Sequence, residues 1–139
     1  MGIIVGADNG GTNRTVLTDS QGRLIVETNG SAGTPTIITA TNNIAASVTS
    51  TLLTYTVPAL KDAELVQVVC SSSVRGLYEV KIEGTVQYRV RTSGSEKTVI
   101  VPGYNLTIAE GETLTVDVTN DYHQLRQFDV TAQVNEIDQ

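Results

Sequence analysis

Apolar and polar side chains alternate along most of the chain from about residue 37 to residue 137. Around the turn signal Glu83-Gly84, apolar residues at every second position predict a β-hairpin with one dry and one wet face. The apolar residues of this hairpin are Val80, Ile82, Val86, Tyr88 and Val90. We expect all of them on the same face, with the charged residues between them on the other.

The same alternation predicts further strands on both sides of that hairpin. Strands are expected at residues 52–57 and 65–70, and a second hairpin at 106–118 around Glu110-Gly111-Glu112. A last strand covers residues 128–134. Short alternating strands separated by tight turns predict an all-β fold, namely an antiparallel β-sandwich with jelly-roll-like connections.

The N-terminal region has a different character, because Gly, Asn and Thr dominate it. Short apolar segments at 3–5, 15–18 and 24–28 predict strands joined by turns. The small residues at 29–35, which end in Pro35, are typical of a linker. We therefore predict an N-terminal β-hairpin arm and linker at 1–36 and a β-sandwich domain at 37–139.

The apolar side chains of the arm are too few to fold alone, so we expect them to be buried against the sandwich or a partner. The predicted partner-binding residues are Ile3, Ile4, Val5, Val16, Leu24, Ile25 and Val26.

Charge and composition narrow the function classes. A net charge of -6 argues against nucleic-acid binding, which depends on neutralising phosphates. The single Cys excludes an internal disulfide. No apolar run approaches the roughly 20 residues of a membrane helix, and the N-terminus lacks the basic and apolar regions of a secretory signal. We expect a protein that is made in the cytoplasm and has no membrane or nucleic-acid partner.

One glycine-rich segment, Gly6-Ala7-Asp8-Asn9-Gly10-Gly11-Thr12-Asn13, resembles the phosphate-binding loop of sugar kinases of the actin-like ATPase superfamily. Glycine amides approach phosphates closely in such loops, and an Asp positions Mg²⁺. These kinases need two α/β lobes and a second phosphate loop, which the rest of the sequence does not offer. Asp, Asn and Gly also form hairpin turns, and we favour that interpretation over a nucleotide-dependent kinase.

Other reactive side chains also have simpler explanations. Cys70 and His123 could pair as nucleophile and base, but Cys70 lies in an apolar strand where inert thiols are common. Glu110, Glu112 and Asp117, with Asp121, could serve glycoside hydrolysis or Ca²⁺ binding. Their spacing favours a solvated face instead. We predict no catalytic, cofactor or metal site, and therefore no enzyme.

A sugar-binding surface is a further alternative. Tyr78, Tyr88, Tyr104 and Tyr122 could form an aromatic face, although Tyr88 is in register with core positions. We expect one or two of these tyrosines in the core.

Four segments of the second region occur together in order, and they resemble a β-sandwich domain of tailed-bacteriophage virion proteins. The segments are Tyr55-Thr56-Val57-Pro58-Ala59, Gly76-Leu77-Tyr78-Glu79-Val80-Lys81-Ile82-Glu83-Gly84, Leu106-Thr107-Ile108-Ala109-Glu110-Gly111-Glu112-Thr113-Leu114 and Phe128-Asp129-Val130-Thr131-Ala132. The resemblance covers roughly residues 50–136. The chain departs from the family at Leu60-Lys61, where Gly-Lys is frequent.

The resemblance implies a virion structural protein made in the host cytoplasm, and first of all a capsid decoration or cement protein on the head surface. Its implied partners are the major capsid protein or other virion subunits. A homo-oligomer is also implied, since trimers are frequent among such proteins. A tail, baseplate or fibre component and a receptor- or carbohydrate-binding module are the alternatives.

Overall fold

The structure is a computed structural model that describes residues 33–94 and 97–139, together with the backbone of two short strands near the N-terminus. These strands, β1 (Ile4–Val5) and β2 (Thr15–Val16), pair antiparallel with each other. The chain divides into two compact units, Met1–Ala32 and Gly33–Gln139. The strand predicted at 24–28 and the glycine-rich segment at 6–13 lie outside the described residues.

Strands make up all the regular structure of the second unit. None of the described residues forms a helix long and apolar enough to cross a membrane. In chain order the strands are β3 (Thr34–Ile44), β4 (Thr49–Thr56), β5 (Lys61–Ser72), β6 (Arg75–Ile82), β7 (Thr85–Ser93), β8 (Lys97–Ile100), β9 (Leu106–Ile108), β10 (Thr113–Asn120) and β11 (Arg126–Asp138).

Two antiparallel sheets form a sandwich. One sheet has the order β3-β11-β5-β8, with β9 also paired to β5, and the other has the order β4-β10-β6-β7. Since β8 and β9 pair with different parts of β5, they fill a single strand position. The first strand of this unit, β3, lies beside the last, β11. All connections cross between the sheets except the β6–β7 hairpin and the β8–β9 connection, which each stay within one sheet. This is the strand order of a jelly roll, which confirms the predicted sandwich and its connections.

The core lies between the sheets and consists of the inward-facing residues of the central strands. Phe128, Val130, Ala132 and Val134 of β11 are fully buried, and Leu114, Val116 and Val118 of β10 face them from the other sheet. Strict alternation of buried and more exposed residues along both strands produces this arrangement. Burial of aliphatic side chains is the main term that stabilises such a fold.

The two largest fully buried side chains, Tyr78 and Phe128, meet edge to face with ring centroids 6.3 Å apart. The Phe128 ring lies over Gly76, where an added Cβ would come within 2.7 Å of Phe128 Cε2. Glycine is therefore required at position 76 because the ring occupies the space of a side chain. Tyr78 donates its hydroxyl hydrogen to the Ser71 carbonyl oxygen, so its one polar group is satisfied inside the core.

The predicted hairpin around Glu83-Gly84 is confirmed, but one side chain faces the other way. Both turn residues have positive φ, as a tight two-residue turn requires. The register shifts after Val80, so that Val86 lies opposite Lys81 rather than Ile82. Val86 is accordingly 39% exposed on the outer face, and its predicted place beside Tyr88 and Val90 was wrong. A β-bulge adds one residue and reverses the alternation beyond it.

The second predicted hairpin is also wrong in its pairing. Both of its strands exist, but β9 pairs with β5 in one sheet, whereas β10 pairs with β4 and β6 in the other. The turn at Glu110-Gly111 is therefore a connection between sheets. Alternation identifies the faces of a strand and contains no information about its partner. The predicted linker at 29–35 was placed too far toward the C-terminus, since Thr34 and Pro35 already belong to β3.

Candidate binding surfaces

An open cleft of about 490 Å³ lies where β6 begins and β7 ends. It is lined by Arg75, Arg91, Thr92, Ser93 and Asp121. Its walls are fixed by hydrogen bonds, because the Asp121 N–H donates to the Arg75 carbonyl oxygen and the Gly76 N–H donates to Oγ1 of buried Thr92. The cleft is thus built on strand ends that packing holds in place.

The charges of the cleft suit an acidic group. Arg91 Nη1 lies 2.8 Å from Asp121 Oδ2, and both side chains are partly exposed, so the pair adds little to stability. Arg75 is exposed and has no side-chain partner in the described parts of the chain. An exposed guanidinium offers a planar pair of donors to a carboxylate or phosphate. A ligand with such a group therefore fits here.

The loop that follows Asp121 is held rigidly by Asn120. This side chain is fully buried, and Nδ2 donates to the carbonyl oxygens of Ile44 and Gln124 while Oδ1 accepts from the Tyr122 N–H. The Tyr122 ring packs on His123 and lies 5.2 Å below the Arg126 guanidinium. The role of Asn120 could not be predicted from the sequence, since an Asn at a loop boundary is usually solvated.

The acidic residues considered as a group are dispersed in the structure. Glu110 accepts a hydrogen bond from the Leu60 N–H and Glu112 accepts one from the Ala109 N–H, so both stabilise connections between strands. Asp117 contacts Lys81, and Asp121 contacts Arg91. Within the described residues, no group of three or more His, Cys, Asp or Glu side chains is arranged to hold a metal ion.

Cys70 faces the core from β5 and is fully buried, and burial raises the pKa of its thiol to about 12. A thiol with such a pKa is almost entirely protonated at neutral pH and is a poor nucleophile. His123 instead lies in the loop between β10 and β11, where its ring contacts Tyr122. The structure therefore gives Cys70 the environment of a core residue.

The four tyrosines do not share a face. Tyr78 is fully buried and Tyr88 packs against the core, as expected for one or two of them. Tyr122 is partly buried in its loop, whereas Tyr104 is 61% exposed between β8 and β9. A continuous aromatic surface of all four is therefore not formed.

The predicted partner-binding residues of the arm are only partly placed. Ile4 and Val5 lie in β1 and Val16 lies in β2, with Ile4 directly opposite Val16. Ile3, Leu24, Ile25 and Val26 lie outside the described residues.

The β7/β8 side of the sandwich, formed by the edge strands β7 and β8, carries charge. Arg89 pairs with Glu79 through Nε and Nη2, and Arg91 pairs with Asp121. The bulge near Gln87 interrupts β7, and β8 has only 4 residues and begins with Lys97. Charges, bulges and short strands are the devices that keep edge strands from pairing with other chains.

The β3/β4 side, formed by the edge strands β3 and β4, has no charged residue in either strand. β3 is 11 residues long, pairs with β11 without a register shift and exposes 66% of Ile37. On β4, the hydroxyls of Thr49 and Thr56 hydrogen-bond to threonines of β10. The two strands contact each other, so the uncharged surface spans both sheets.

No family model matches the chain, and no curated protein matches it. Among solved structures it is similar to two of infectious bursal disease virus, of the Gx and Gt strains, at 13% and 12% sequence identity. The matches cover 75% and 88% of this chain, with TM-scores of 0.39 and 0.41. The chain spans about a third of the length of those viral chains, 32% and 35%. The likeness is weak, and the jelly-roll assignment rests on the strand order.

Proposed function

We propose that this protein is a non-catalytic structural subunit of a virus particle, and specifically a bacteriophage capsid decoration or cement protein. It binds the head surface and neighbouring subunits, and the major capsid protein is its expected partner. The order of the sandwich segments in the sequence supports the phage assignment. The jelly-roll strand order supports it as well, because this fold is common among viral capsid domains, although it also occurs in lectins and cupins.

The division of the chain into two compact units is the observation that carries this proposal. The first unit joins the jelly roll in sequence at Gly33, directly before the edge strand β3. Its short strands and few apolar residues need a further surface to bury against. When the strands of such an arm pair with a neighbouring subunit of the capsid, many intermolecular backbone hydrogen bonds form at once.

The test uses the full chain and particles that lack it. Purified particles are incubated with the protein, sedimented and imaged with a gold-labelled antibody against residues 37–139. Gold spread over the head supports decoration. Gold confined to the tail would contradict it in favour of a tail, baseplate or fibre role, and absence of label would remove the virion proposal.

Variants of the arm sharpen this test. Ile4→Lys and Val16→Lys place charges on the paired strands β1 and β2, and we expect each to lower particle binding at least tenfold. Val99→Lys, an exposed change on β8, is the matched control and should bind normally. Far-UV circular dichroism verifies that all three variants fold. Full binding by both arm variants would contradict the role of the arm.

The cleft favours a second candidate function, recognition of a receptor or glycan that bears a carboxylate. Arg75 would contact the acidic group, and the adjacent Tyr122 loop would contact the remainder of the ligand. Glycan-array binding that is lost in Arg75→Ala and retained in Arg89→Ala, an exposed arginine of β7 outside the cleft, would support this function. An array without any hit that depends on Arg75 would end it.

A further inference from the structure

We propose that the β3 strand pairs antiparallel with β3 of a second copy of this protein, about a two-fold axis near Thr39, and so joins two jelly rolls into a dimer. This goes beyond the virion role and does not depend on it, since the dimer forms in solution.

The charge distribution along the sequence is the first argument. All Lys, Arg, Asp and Glu residues lie outside residues 28–60, a segment that contains both strands of the β3/β4 side. Three carboxylates lie one strand inward and accept hydrogen bonds from this side: Asp129 from Thr41, Asp117 from Thr51 and Glu136 from Tyr55. Each of them is therefore already bonded to a residue of β3 or β4 within the same chain.

Electrostatics favour a second copy over a charged partner. The chain carries a net charge of -6, so two copies repel each other wherever their charged surfaces meet. An uncharged side allows the closest approach without burying an ion. A partner of opposite charge would instead gain more from the charged remainder of the surface.

The geometry of β3 is the second argument. In an antiparallel pair, every second residue points its N–H and C=O groups away from the neighbouring strand, so the edge offers such groups at alternate residues. Pro35 has no N–H and the Asn43 N–H donates to Asn42 Oδ1, so the donors available for pairing lie in the middle of the strand. The regular register with β11 keeps these groups in line. The bulge in the β4–β10 pairing breaks this regularity on the other strand of the same side, and β3 is therefore the strand that pairs.

The sequence of β3 is suited to pairing with itself. Thr39 is its central residue, and an axis there places Ile37 opposite Thr41 of the second copy and Ile38 opposite Ala40 of the second copy. Cross-strand pairs of β-branched residues stabilise sheets, and Thr–Thr pairs do so as well. The pairing also covers Ile37, which is 66% exposed in a single chain.

The size of the surface suits a reversible dimer. Eleven residues at about 3.4 Å each give an edge about 37 Å long, and the two sheets lie about 10 Å apart, so the strip measures roughly 370 Å². This area is below the ~800 Å² per partner of a standard interface, and we therefore expect association that depends on protein concentration.

The first test measures mass. Sedimentation equilibrium of the full chain over a concentration series should fit a monomer–dimer equilibrium. Ile37→Lys should weaken the dimer at least tenfold, because two ammonium groups enter the interface by symmetry. Val99→Lys makes the same kind of change at a 52% exposed site on the opposite edge of the same sheet, and it should leave the dimer intact.

The second test locates the axis. Thr39→Cys should form a disulfide-linked dimer under mild oxidation, because the two residues meet across the axis and the native Cys70 is buried. Val99→Cys, on β8, should not. The proposal would be overturned if the chain stayed monomeric at all concentrations, or if it formed a trimer whose stability Ile37→Lys did not change. Cross-linking through Val99→Cys alone would also overturn it.

Discussion

At the β7/β8 side of the jelly roll, the exposed strands carry Arg89, Arg91 and Lys97 together with a bulge. At the β3/β4 side they carry threonines and uncharged aliphatic residues, and β3 is long and regular. Both pairs of strands belong to the same two sheets and face the same solvent. The difference shows that edge protection is not automatic in this fold, and that one side lacks the charges that would prevent pairing.

The central strand β11 and the edge strand β3 also differ in how deeply their inward-facing side chains are buried. Residues of β11 that point between the sheets are fully buried, whereas Ile38 and Ala40 of β3 are only partly buried. The edge strand β3 is therefore held more by backbone pairing with β11 than by packing. Burial of apolar side chains raises the free energy needed to detach a strand from its sheet. The edge strand β3 is therefore held less firmly than β11.

The largest expected effect tests this difference in packing. Phe128→Ala removes the ring that fills the space above Gly76 and contacts Tyr78, and we expect a loss of about 3–5 kcal/mol in unfolding free energy. Ile38→Ala on β3 should cost about 1–2 kcal/mol, because its site is partly open to solvent. Urea denaturation of both variants at one protein concentration measures the difference. Equal losses would show that β3 packs as tightly as β11.

A smaller effect is expected from the ion pair on the outer face of the β4-β10-β6-β7 sheet. Burial raises the pKa of Asp117, but hydrogen bonds from Lys81 and Thr51 outweigh it, so the net result is a lowered pKa. A carboxyl group whose pKa is lower in the folded state stabilises the fold above its unfolded pKa of about 3.9. That contribution is lost as the pH falls through the folded value.

Asp117→Asn should therefore cost about 1–2 kcal/mol at pH 7. The difference from the native chain should shrink as the pH falls below about 4, where the native carboxylate takes up a proton. Thermal unfolding between pH 7 and pH 2 measures this convergence. A difference that stays constant over the whole range would show that the charge of Asp117 plays no part.

The smallest expected effect is on self-association, and it tests whether charge is what distinguishes the β7/β8 side from the β3/β4 side. In an Ile37→Lys background, Arg89→Thr with Arg91→Thr makes β7 resemble β3. We expect new, concentration-dependent association through β7, visible as faster sedimentation. Arg89→Lys with Arg91→Lys retains the charges and should sediment like its background. If the threonine variant also stays monomeric, then charge on β7 is not what prevents its pairing.

Several features of the fold could be predicted because they depend on local pattern. The alternation at 128–134 identified the buried side of β11, and Glu83-Gly84 identified a turn that requires positive φ. The position of Val86 could not be predicted, since a bulge leaves no mark in a pattern of period two. The cleft was also missed, because Arg75, Arg91 and Asp121 come from three separate strands or loops.

The binding surfaces show the same limit. The uncharged segment at 28–60 is visible in the sequence, but its meaning depends on β3 and β4 lying together at one side of the sandwich. The acidic residues looked like a cluster in the sequence. The structure separates them along the chain direction, because Glu110 and Glu112 precede the extended strand β10, Asp117 lies within it and Asp121 follows it.

The sequence by itself determined that this protein is all-β, which residues face inward along its central strands and where its tightest turn lies. These properties follow from the two-residue period of a strand and from the backbone conformations that particular residues allow. Only the tertiary structure decided that β9 and β10 belong to different sheets, and that the charged and uncharged edges lie on opposite sides. Strand partners are chosen by burial of whole faces over long sequence separations, and no local pattern encodes that choice.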